Sequence, residues 1–201
     1  MLIGENVSRE TQNRLEIFVE LVRKWNPVIN LVSKSTLDQI WDRHIADSAQ
    51  LYGLATGSAL KFVDVGSGGG FPGIVLAILS SGEKADHVFQ LVESDQRKAT
   101  FLREVSRVLA LPVEVHSVRI EGLRVQNADF LTARALAPLA KLLSFASLHL
   151  KSTGTCLFPK GSNYKSELVE ALKIFSFDYD LIPSQTDTTG MILKISGLKN
   201  A

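Results

Sequence analysis

Apolar residues recur at helical spacing in two segments near the start of the chain. Between residues 8 and 25 they fall on one face of a helix, and Ser8 stands where a capping side chain would be. Pro27 is expected to end this helix, because proline cannot donate the next main-chain hydrogen bond. A second apolar stripe predicts an amphipathic helix over 36–52, with His44 on its apolar face.

From residue 60 onward the pattern changes to short apolar runs that alternate with amphipathic segments. Such runs are typical of buried strands. Strands are predicted over 60–65, 87–93, 111–116, 129–134 and 153–161. Helices are predicted over 71–79, 94–110, 138–150 and 163–175, with Ser94 as the cap of the second one. Two closing strands, 177–183 and 191–196, are predicted to pair antiparallel around a turn at 187–190.

Strands that alternate with helices predict an α/β fold with a mostly parallel, seven-stranded sheet and helices on both faces. The two N-terminal helices stand outside this alternation. No linker rich in proline, glycine or serine separates them from residue 60. We therefore expect one domain over residues 1–201, with an N-terminal helical cap over 1–55 and a Rossmann-like core over 60–201.

Composition and charge narrow the class of protein only a little. The 201 residues are 45% hydrophobic and 21% charged, which is ordinary for a globular protein. The formal net charge is +1, so composition alone does not indicate a nucleic-acid-binding protein. The sequence begins without a secretory signal and has no apolar run that could span a bilayer, which predicts a cytoplasmic protein without membrane contact. The single cysteine, Cys156, excludes an internal disulfide and a cysteine-based zinc site.

The stretch FVDVGSGGGFPG at 62–73 joins the first predicted core strand to the next helix. A doubly wound sheet binds its ligand at this place, and glycine lets a ligand approach the backbone closely. Gly66 and Gly68 match a dinucleotide-binding fingerprint, but Phe71 stands where that fingerprint has its third glycine. The pattern instead resembles the first motif of Rossmann-like methyltransferases that use S-adenosylmethionine. The alternative is a simple glycine-rich turn.

Two acidic residues suit this cofactor. Asp64 is placed to bind its ammonium group, directly or through water. Glu93, at the end of the second core strand, is placed to accept hydrogen bonds from its ribose hydroxyls. The alternative for Glu93 is a solvated helix cap. The closing antiparallel pair also resembles the methyltransferase sheet, in which the last strand inserts beside its neighbour.

Seven stretches, in order along about residues 14–161, resemble the bacterial ribosomal RNA small subunit methyltransferase G family, also called RsmG or GidB. They read WNPVINLVS, RHIADS, FVDVGSGGGFPGIVLAI, LVESDQRKATFLR, VRIE, TARALAPL and FPKG. The combination of RHIADS with GSGGGFPG is far more specific than the glycine motif alone. The resemblance implies methyl transfer from S-adenosylmethionine to nitrogen-7 of one guanine in the decoding-region loop of 16S rRNA.

By matching position, the resemblance implies cofactor contacts at Gly66, Phe71, Ile120, Glu121 and Arg134. The ordinary alternatives are helix-start residues for Ile120 and Glu121, and a surface ion pair for Arg134. Nitrogen-7 of guanine has a lone pair and no proton, so its attack needs no general base, and no catalytic residue is assigned. No cluster of side chains suggests a metal. Cys156 is expected to be inert inside an apolar strand.

Four residues are candidates for RNA binding: Arg43, His44, Arg119 and Lys160. The alternative for His44 is a packed core histidine, and for the basic residues it is scattered, solvated charge. Weak overall basicity suggests that the substrate is 16S rRNA already assembled in the small ribosomal subunit or a precursor particle, bound by a monomer of the protein. Three other functions stay open from the sequence: a methyltransferase with another acceptor, a non-catalytic cofactor- or RNA-binding module, and a nicotinamide-dependent oxidoreductase.

Overall fold

The computed structural model describes residues 7–200. Its α-helices are α1 (Arg9–Ile29), α2 (Lys34–Leu37), α3 (Asp47–Ala49), α4 (Gly73–Gly82), α5 (Gln96–Val108), α6 (Leu139–His149) and α7 (Tyr164–Leu172). Its strands are β1 (Lys61–Val65), β2 (Val88–Val92), β3 (Val113–His116), β4 (Ala128–Thr132), β5 (Leu150–Lys160), β6 (Phe175–Pro183) and β7 (Met191–Asn200). A π-helical stretch spans Trp41–Ala46, and 3₁₀ turns span Tyr52–Leu54 and Ile120–Gly122. Within this range, no helix combines the length and the apolar character needed to cross a membrane.

The described strands form one sheet in the order β3-β2-β1-β4-β5-β7-β6. Strands β1 to β5 pair parallel to one another, and β7 lies antiparallel between β5 and β6. The strand order reverses between β1 and β4, which is where open α/β sheets bind their ligands. The predicted α/β class is confirmed, including the mostly parallel seven-stranded sheet and the inserted last strand.

Helices cover both faces of the sheet. α4 and α5 pack on one face together with α1, and α6 and α7 pack on the other. Residues 73–80 of α4 are all buried, because α4 lies between the sheet and α1. Phe18 of α1 reaches Phe71 just before α4, with their ring centroids 5.1 Å apart. The N-terminal helix therefore shares one hydrophobic core with the sheet and contacts the glycine stretch through Phe18.

The predicted end of the first helix is wrong. α1 continues through Pro27 to Ile29 and ends at Asn30, which has a left-handed conformation. Pro27 lies on the exposed face, where water can satisfy the carbonyl oxygen that loses its donor. The helix end is also fixed by Asn26, whose Oδ1 accepts hydrogen bonds from the main-chain N–H groups of the two residues after Asn30, at 2.8 and 2.9 Å.

The predicted helix over 36–52 is broken into pieces. α2 ends at Leu37, and the π-helical stretch Trp41–Ala46 runs directly into α3. A π-helical stretch widens the helix locally and is frequent at functional sites. Its consequence here is that His44 and Asp47 both contact the loop that follows β4.

The helix predicted over 94–110 is present as α5, but its cap is Asp95 and not Ser94. Oδ1 of Asp95 accepts hydrogen bonds from the main-chain N–H groups of Arg97 and Lys98, at 2.8 and 3.2 Å. A carboxylate at this position also favours the positive end of the helix dipole. The first turn of α5 is therefore fixed beside Glu93, at the carboxyl edge of the sheet.

Candidate functional site

The glycine stretch leaves the carboxyl end of β1 and folds back before α4 begins. Gly66, Gly68 and Gly70 have positive φ angles of 70°, 55° and 93°. The main-chain N–H groups of Gly66 and Ser67 donate to the carbonyl oxygen of Val92 at the end of β2, at 2.8 and 3.2 Å. Glycine is needed in this stretch because residues with a Cβ rarely adopt positive φ.

The three glycines have different surroundings. A Cβ on Gly70 would lie 2.8 Å from Cγ1 of Ile74, so packing closes that position. A Cβ on Gly66 would lie 2.7 Å from the side chain of Leu136, which covers it from the loop after β4. A Cβ on Gly68 would meet only a carbonyl oxygen, at 3.7 Å, so the backbone at Gly68 faces open space. A ligand can therefore approach the main chain most closely at Gly68.

Asp64, the acid of the glycine motif, is only 1% exposed. Its Oδ1 accepts a hydrogen bond from Thr132 Oγ1 of β4 at 2.8 Å, and its Oδ2 accepts one from the Gly73 N–H at 3.2 Å. Burial raises the pKa of the Asp64 carboxyl to about 6, although these hydrogen bonds oppose the shift. Asp64 thus joins β1, β4 and the start of α4 from inside. Its contact with the cofactor's ammonium group stays a prediction.

Glu93 lies at the end of β2 and is bound to the glycine stretch. Its Oε2 accepts a hydrogen bond from the Gly68 N–H at 2.9 Å, and its Oε1 accepts one from the Asp95 N–H at 2.8 Å. Each carboxylate oxygen can accept a second hydrogen bond. Glu93 therefore fixes the glycine stretch and can still accept a hydrogen bond from a ribose hydroxyl. Its contact with the ribose stays a prediction.

The end of β3 completes this part of the crevice. Ile120 is buried at the start of a 3₁₀ turn, while Glu121 is exposed and pairs with Lys141 at 3.5 Å. Ser117 directly follows β3, and its buried Oγ has no hydrogen-bond partner among the described residues. We call the ends of β1, β2 and β3, with residues 66–71, 93 and 117–121, the glycine side of the crevice.

Arg134, after β4, is held by the N-terminal segment. Its Nη1 donates to the carbonyl oxygen of Arg43 at 3.0 Å and to Oδ2 of Asp47 at 3.2 Å, and its Nη2 donates to His44 Nδ1 at 2.6 Å. The guanidinium carbon lies 5.3 Å from the centroid of the Phe71 ring. Burial lowers the pKa of the Arg134 guanidinium, and Asp47 opposes this shift. The planar charged group is therefore fixed in one orientation.

His44 acts as an acceptor in this network. Because Nδ1 accepts from Arg134, the ring proton belongs on Nε2, which donates to Thr36 Oγ1 at 2.8 Å. Burial, then the charges of Arg134 and Arg43, lower the His44 pKa to about 4. The imidazole is neutral at physiological pH and packs against Phe71, with the two ring centroids 4.9 Å apart and the rings tilted by 33°. His44 is thus packed and hydrogen-bonded, yet it lies beside the crevice.

A cavity of about 710 Å³ opens next to Arg134. Four segments line it, and they contribute Thr36, Arg43, His44 and Asp47; residues 134–138; residues 159–161, 163, 166 and 167; and Ser184, Thr186, Asp187, Gly190 and Met191. We call this region, at the ends of β4 and β5 and the β6–β7 loop, the cavity side. Arg43, His44 and Lys160 line the cavity, whereas Arg119 lies on the glycine side next to Ile120.

Lys160 is already paired within the protein. Its Nζ donates to the Ala137 carbonyl oxygen at 2.9 Å and to Oε2 of Glu167 at 2.7 Å, and the side chain is only 10% exposed. Oε2 of Glu167 also accepts a hydrogen bond from the Leu139 N–H at 2.7 Å. In this arrangement Lys160 fixes the loop after β4, and its predicted contact with RNA stays a prediction.

The sequence did not single out the residues that connect the N-terminal segment to the β6–β7 loop. Asp47 Oδ1 accepts hydrogen bonds from Thr186 Oγ1 and Gln50 Nε2, both at 2.9 Å, and Oε1 of Gln50 accepts one from the Gln185 N–H at 2.9 Å. The RHIADS stretch contained Asp47 and could have indicated it. The sequence predicted a turn at 187–190 but not the docking of this loop, because the docking depends on partners 135 to 139 residues away.

Cys156 lies fully buried in β5, as predicted, and burial raises the pKa of its thiol. A buried protonated thiol is a poor nucleophile. Within residues 7–200, no group of three histidine, cysteine, aspartate or glutamate side chains could hold a metal ion. The side chains that converge on the crevice are therefore hydrogen-bonding and ion-pairing groups.

Comparisons with known proteins identify relatives that match most of the chain. The family model described as rRNA small subunit methyltransferase G matches residues 11–187. Proteins named Ribosomal RNA small subunit methyltransferase G from Cereibacter sphaeroides and Ruegeria pomeroyi are each 52% identical over 96% of this chain, and cover 93% and 94% of their own lengths. One of that name from Rhodospirillum centenum is 50% identical over 94% of this chain and 86% of its own length.

Solved structures with low identity share the fold. A SAM-dependent methyltransferase from Aquifex aeolicus superimposes with a TM-score of 0.62 at 14% identity, over 88% of this chain and 97% of that one. A TehB-like SAM-dependent methyltransferase from Corynebacterium glutamicum gives a TM-score of 0.61 at 12% identity, over 90% of this chain and 98% of that one. These structures establish the Rossmann-like α/β architecture.

Proposed function

This chain belongs to the rRNA small subunit methyltransferase G family, and we propose that it methylates nitrogen-7 of a guanine in the decoding-region loop of 16S rRNA. The chain is an S-adenosylmethionine-dependent methyltransferase by family and by fold. The observation that carries the proposal is the cavity of about 710 Å³, whose lining includes Arg134 and also Leu136, the side chain that covers Gly66 of the glycine side. Such a cavity is large enough for a purine base.

The residues of the glycine side fit S-adenosylmethionine. The backbone at Gly68 faces open space that a Cβ would enter, and the buried Oγ of Ser117 has no partner among the described residues. Glu93 keeps capacity to accept a hydrogen bond from a ribose hydroxyl, and Ile120 contributes an apolar side chain. When bound, this cofactor supplies an electrophilic methyl group on a cationic sulfur.

We assign the cofactor contacts as follows. The main chain at Gly68 would lie against the amino-acid end, while Gly66, which Leu136 covers, and Asp64 would act by fixing the glycine stretch. Glu93 would bind the ribose, and Ile120 and Glu121 would contact the adenine. Phe71 would act by packing, because its ring lies among Phe18, His44 and Arg134.

The protein's part in the reaction is alignment. Nitrogen-7 of guanine carries no proton, so no residue has to act as a general base. Well-oriented reactants gain roughly 7–11 kcal/mol from alignment and proximity alone. Arg134 is suited to a positioning role, because Asp47, His44 and the Arg43 carbonyl fix its guanidinium between the two sides of the crevice. Arg134 already carries a compensating partner in Asp47, so it adds little net charge to the site.

We further propose that the substrate is rRNA within the small ribosomal subunit or an assembly particle. The protein would bind it as a monomer in the cytoplasm. The formal net charge of +1 supports this, because tight binding of naked RNA depends on neutralising several phosphates. A shaped particle can supply further contacts through ribosomal protein.

Radiolabelled methyl transfer tests the proposal. Small-subunit particles from a strain lacking the enzyme and protein-free 16S rRNA are each incubated with the protein and labelled cofactor, and the modified nucleoside is mapped. The expected result is 7-methylguanosine at one position, formed faster on the particle. Label on another atom, on protein or on a small molecule would overturn the proposed acceptor. Equal rates on particle and naked RNA would overturn the proposed substrate form alone.

A further inference from the structure

One acidic side chain lining the cavity has an uncommitted oxygen. Oδ1 of Asp187 accepts hydrogen bonds from the main-chain N–H and Oγ1 of Thr189, at 2.9 and 2.8 Å. Oδ2 of Asp187 has no hydrogen bond from another described residue, and Nη1 of Arg43 lies 4.0 Å from it. The hydrogen bond from the Thr189 main chain lowers the pKa of the Asp187 carboxyl, so it is ionised at neutral pH. A strong acceptor and a strong donor therefore stand side by side at the cavity.

The loop that carries Asp187 is fixed to the N-terminal segment. Thr186 Oγ1 donates to Asp47 at 2.9 Å, and the Gln185 N–H donates to Gln50 at 2.9 Å. Ser184 Oγ accepts hydrogen bonds from the main-chain N–H groups of Thr186 and Asp187, both at 3.2 Å. A side chain on this loop is therefore held in place well enough to read a ligand.

This pair has the hydrogen-bonding pattern that complements guanine. The edge of guanine next to nitrogen-7 presents the acceptor O6, then the donor N1–H, then the donor N2–H₂. A guanidinium donates to O6 while a neighbouring carboxylate accepts from N1–H and N2–H₂. Adenine presents the opposite order, with its amino donor nearest nitrogen-7 and an acceptor beyond it. The order of donor and acceptor relative to the reacting atom therefore decides which purine fits.

The donor and the acceptor lie within reach of one base. Arg134 borders the glycine side and contacts the Arg43 main chain at 3.0 Å, and Arg43 in turn reaches Asp187. Both side chains line the same cavity. A guanine bound with nitrogen-7 toward the glycine side and O6 on Arg43 would then offer its N1–H to Asp187.

We propose that Asp187, paired with Arg43, is the residue that selects guanine as the methyl acceptor. This inference rests on the proposed function, because it names the specificity determinant of that same site. Asp187 accepts hydrogen bonds from N1–H and N2–H₂ of the target base, and Arg43 donates to O6. No covalent step involves either residue.

Substitution of Asp187 by Asn tests the assignment. Asn keeps the acceptor for Thr189 but replaces the free oxygen with an N–H₂ group, which faces the donors of guanine. Wild-type protein and Asp187→Asn are assayed on small-subunit particles reconstituted with guanosine or inosine at the target position, since inosine lacks the N2 amino group. We expect kcat/KM of Asp187→Asn on guanosine to fall roughly 10- to 100-fold, because a good two-point base contact contributes about 1–3 kcal/mol. The preference of the wild type for guanosine over inosine should shrink to within about twofold in the variant.

Two controls separate recognition from loop structure. Thr189→Val removes one hydrogen bond to Oδ1 of Asp187 and leaves Oδ2, so it should keep the guanosine preference. Asp86→Asn removes an exposed carboxyl just before β2, at the amino ends of the strands and thus away from the crevice. This variant should behave as the wild type. Thermal unfolding and S-adenosylhomocysteine affinity should be unchanged in Asp187→Asn.

The outcomes distinguish failure of the Asp187 assignment from failure of the proposed function. Asp187→Asn with wild-type rate and wild-type guanosine preference would overturn the inference and leave the proposed function standing. A rate loss that Thr189→Val reproduces, with the guanosine preference kept in both variants, would also overturn it by assigning Asp187 to turn formation alone. Failure of the wild-type protein to methylate guanine in any particle would overturn the proposed function, and the inference with it.

Discussion

The two sides of the crevice are built in different ways. The glycine side is mostly main chain from one continuous stretch, 66–71, with the ends of β2 and β3 beside it. The cavity side consists of side chains from four segments, whose hydrogen-bonded partners are as much as 139 residues apart. One side is therefore specified by local conformation, and the other only by how distant segments meet.

This difference corresponds to what each side has to bind. A cofactor common to many enzymes can be held by backbone groups, which tolerate variation in side chains. A particular base in a particular RNA has to be read by side chains with fixed donors and acceptors. The two sides meet at Asp64, whose carboxylate connects β1 to Thr132 of β4 and to the start of α4. Perturbing each side separately, and then this connection, tests the comparison.

The largest effect is expected from the connection itself. The Asp64 carboxyl has a pKa of about 6 in the folded protein against an ordinary value of 3.8, so the folded state takes up its proton first as the pH falls. Stability from this group is therefore complete below about pH 4 and is lost as the pH rises through 6. The difference in unfolding free energy between wild type and Asp64→Asn should shift by about 3 kcal/mol in favour of the wild type from pH 7 to pH 3.

Urea unfolding at several pH values measures this difference, because the titrations of all other groups cancel between the two proteins. Asp86→Asn, which lacks an exposed carboxyl at the amino ends of the strands, serves as the control. A difference between wild type and Asp64→Asn that stays flat from pH 7 to pH 3 would show that the Asp64 carboxyl is not held in the buried position described.

The next largest effect should come from the cavity side. Arg134→Lys keeps the charge but cannot donate at once to His44, Asp47 and the Arg43 carbonyl, because an ammonium lacks the planar fork. We expect kcat/KM to fall roughly 100-fold through misplacement of the acceptor, with S-adenosylhomocysteine affinity changed less. Arg107→Lys, on the exposed face of α5, is the matched control. A loss confined to cofactor affinity would assign Arg134 to the glycine side instead.

A smaller effect is expected on the glycine side, and it should be a loss of cofactor affinity instead of a loss of kcat/KM. Gly68→Ala puts a methyl group into the open space beside the loop and forces a residue with a Cβ into positive φ. The strain lowers stability by about 1–2 kcal/mol. Because the methyl group stands where the cofactor would approach the main chain, calorimetry should show roughly tenfold weaker S-adenosylhomocysteine binding. Gly53→Ala, where a Cβ meets nothing within 4 Å and φ is ordinary, should leave binding unchanged. Equal affinities for Gly68→Ala and wild type would place the cofactor elsewhere.

The smallest effect separates two variants of His44. In Asn the side-chain oxygen can replace Nδ1 as the acceptor for Arg134, whereas Gln retains a group near the position of Nε2 and loses that acceptor. We expect roughly fivefold lower kcat for His44→Gln and no more than about twofold for His44→Asn, since one hydrogen bond of several is lost. The assay is turnover per folded molecule, with the folded fraction measured by circular dichroism. The reverse ranking would show that the Thr36 contact matters more than the Arg134 contact.

The sequence by itself determined the α/β fold class, the seven-stranded sheet with its inserted last strand, the position of the glycine stretch and the family. These features depend on residues near one another in the chain: apolar period sets helix or strand, and glycine is needed where φ is positive. Even so, local signals placed the end of α1 at Pro27, because they do not show that the proline faces water.

Only the tertiary structure decided how the cavity side is assembled. Asp64 and Lys160 looked available for ligands, but folding gives Asp64 partners on β4 and α4, and gives Lys160 the buried ion pair with Glu167. Asp187 looked like a turn residue, and its place at the cavity follows from the docking of its loop on Asp47. The physical reason is that distant parts of the chain supply the hydrogen-bond and ion-pair partners of a side chain. These partners decide its charge, its exposure and which of its donors and acceptors remain for a ligand, and the spacing of residues in the sequence does not reveal them.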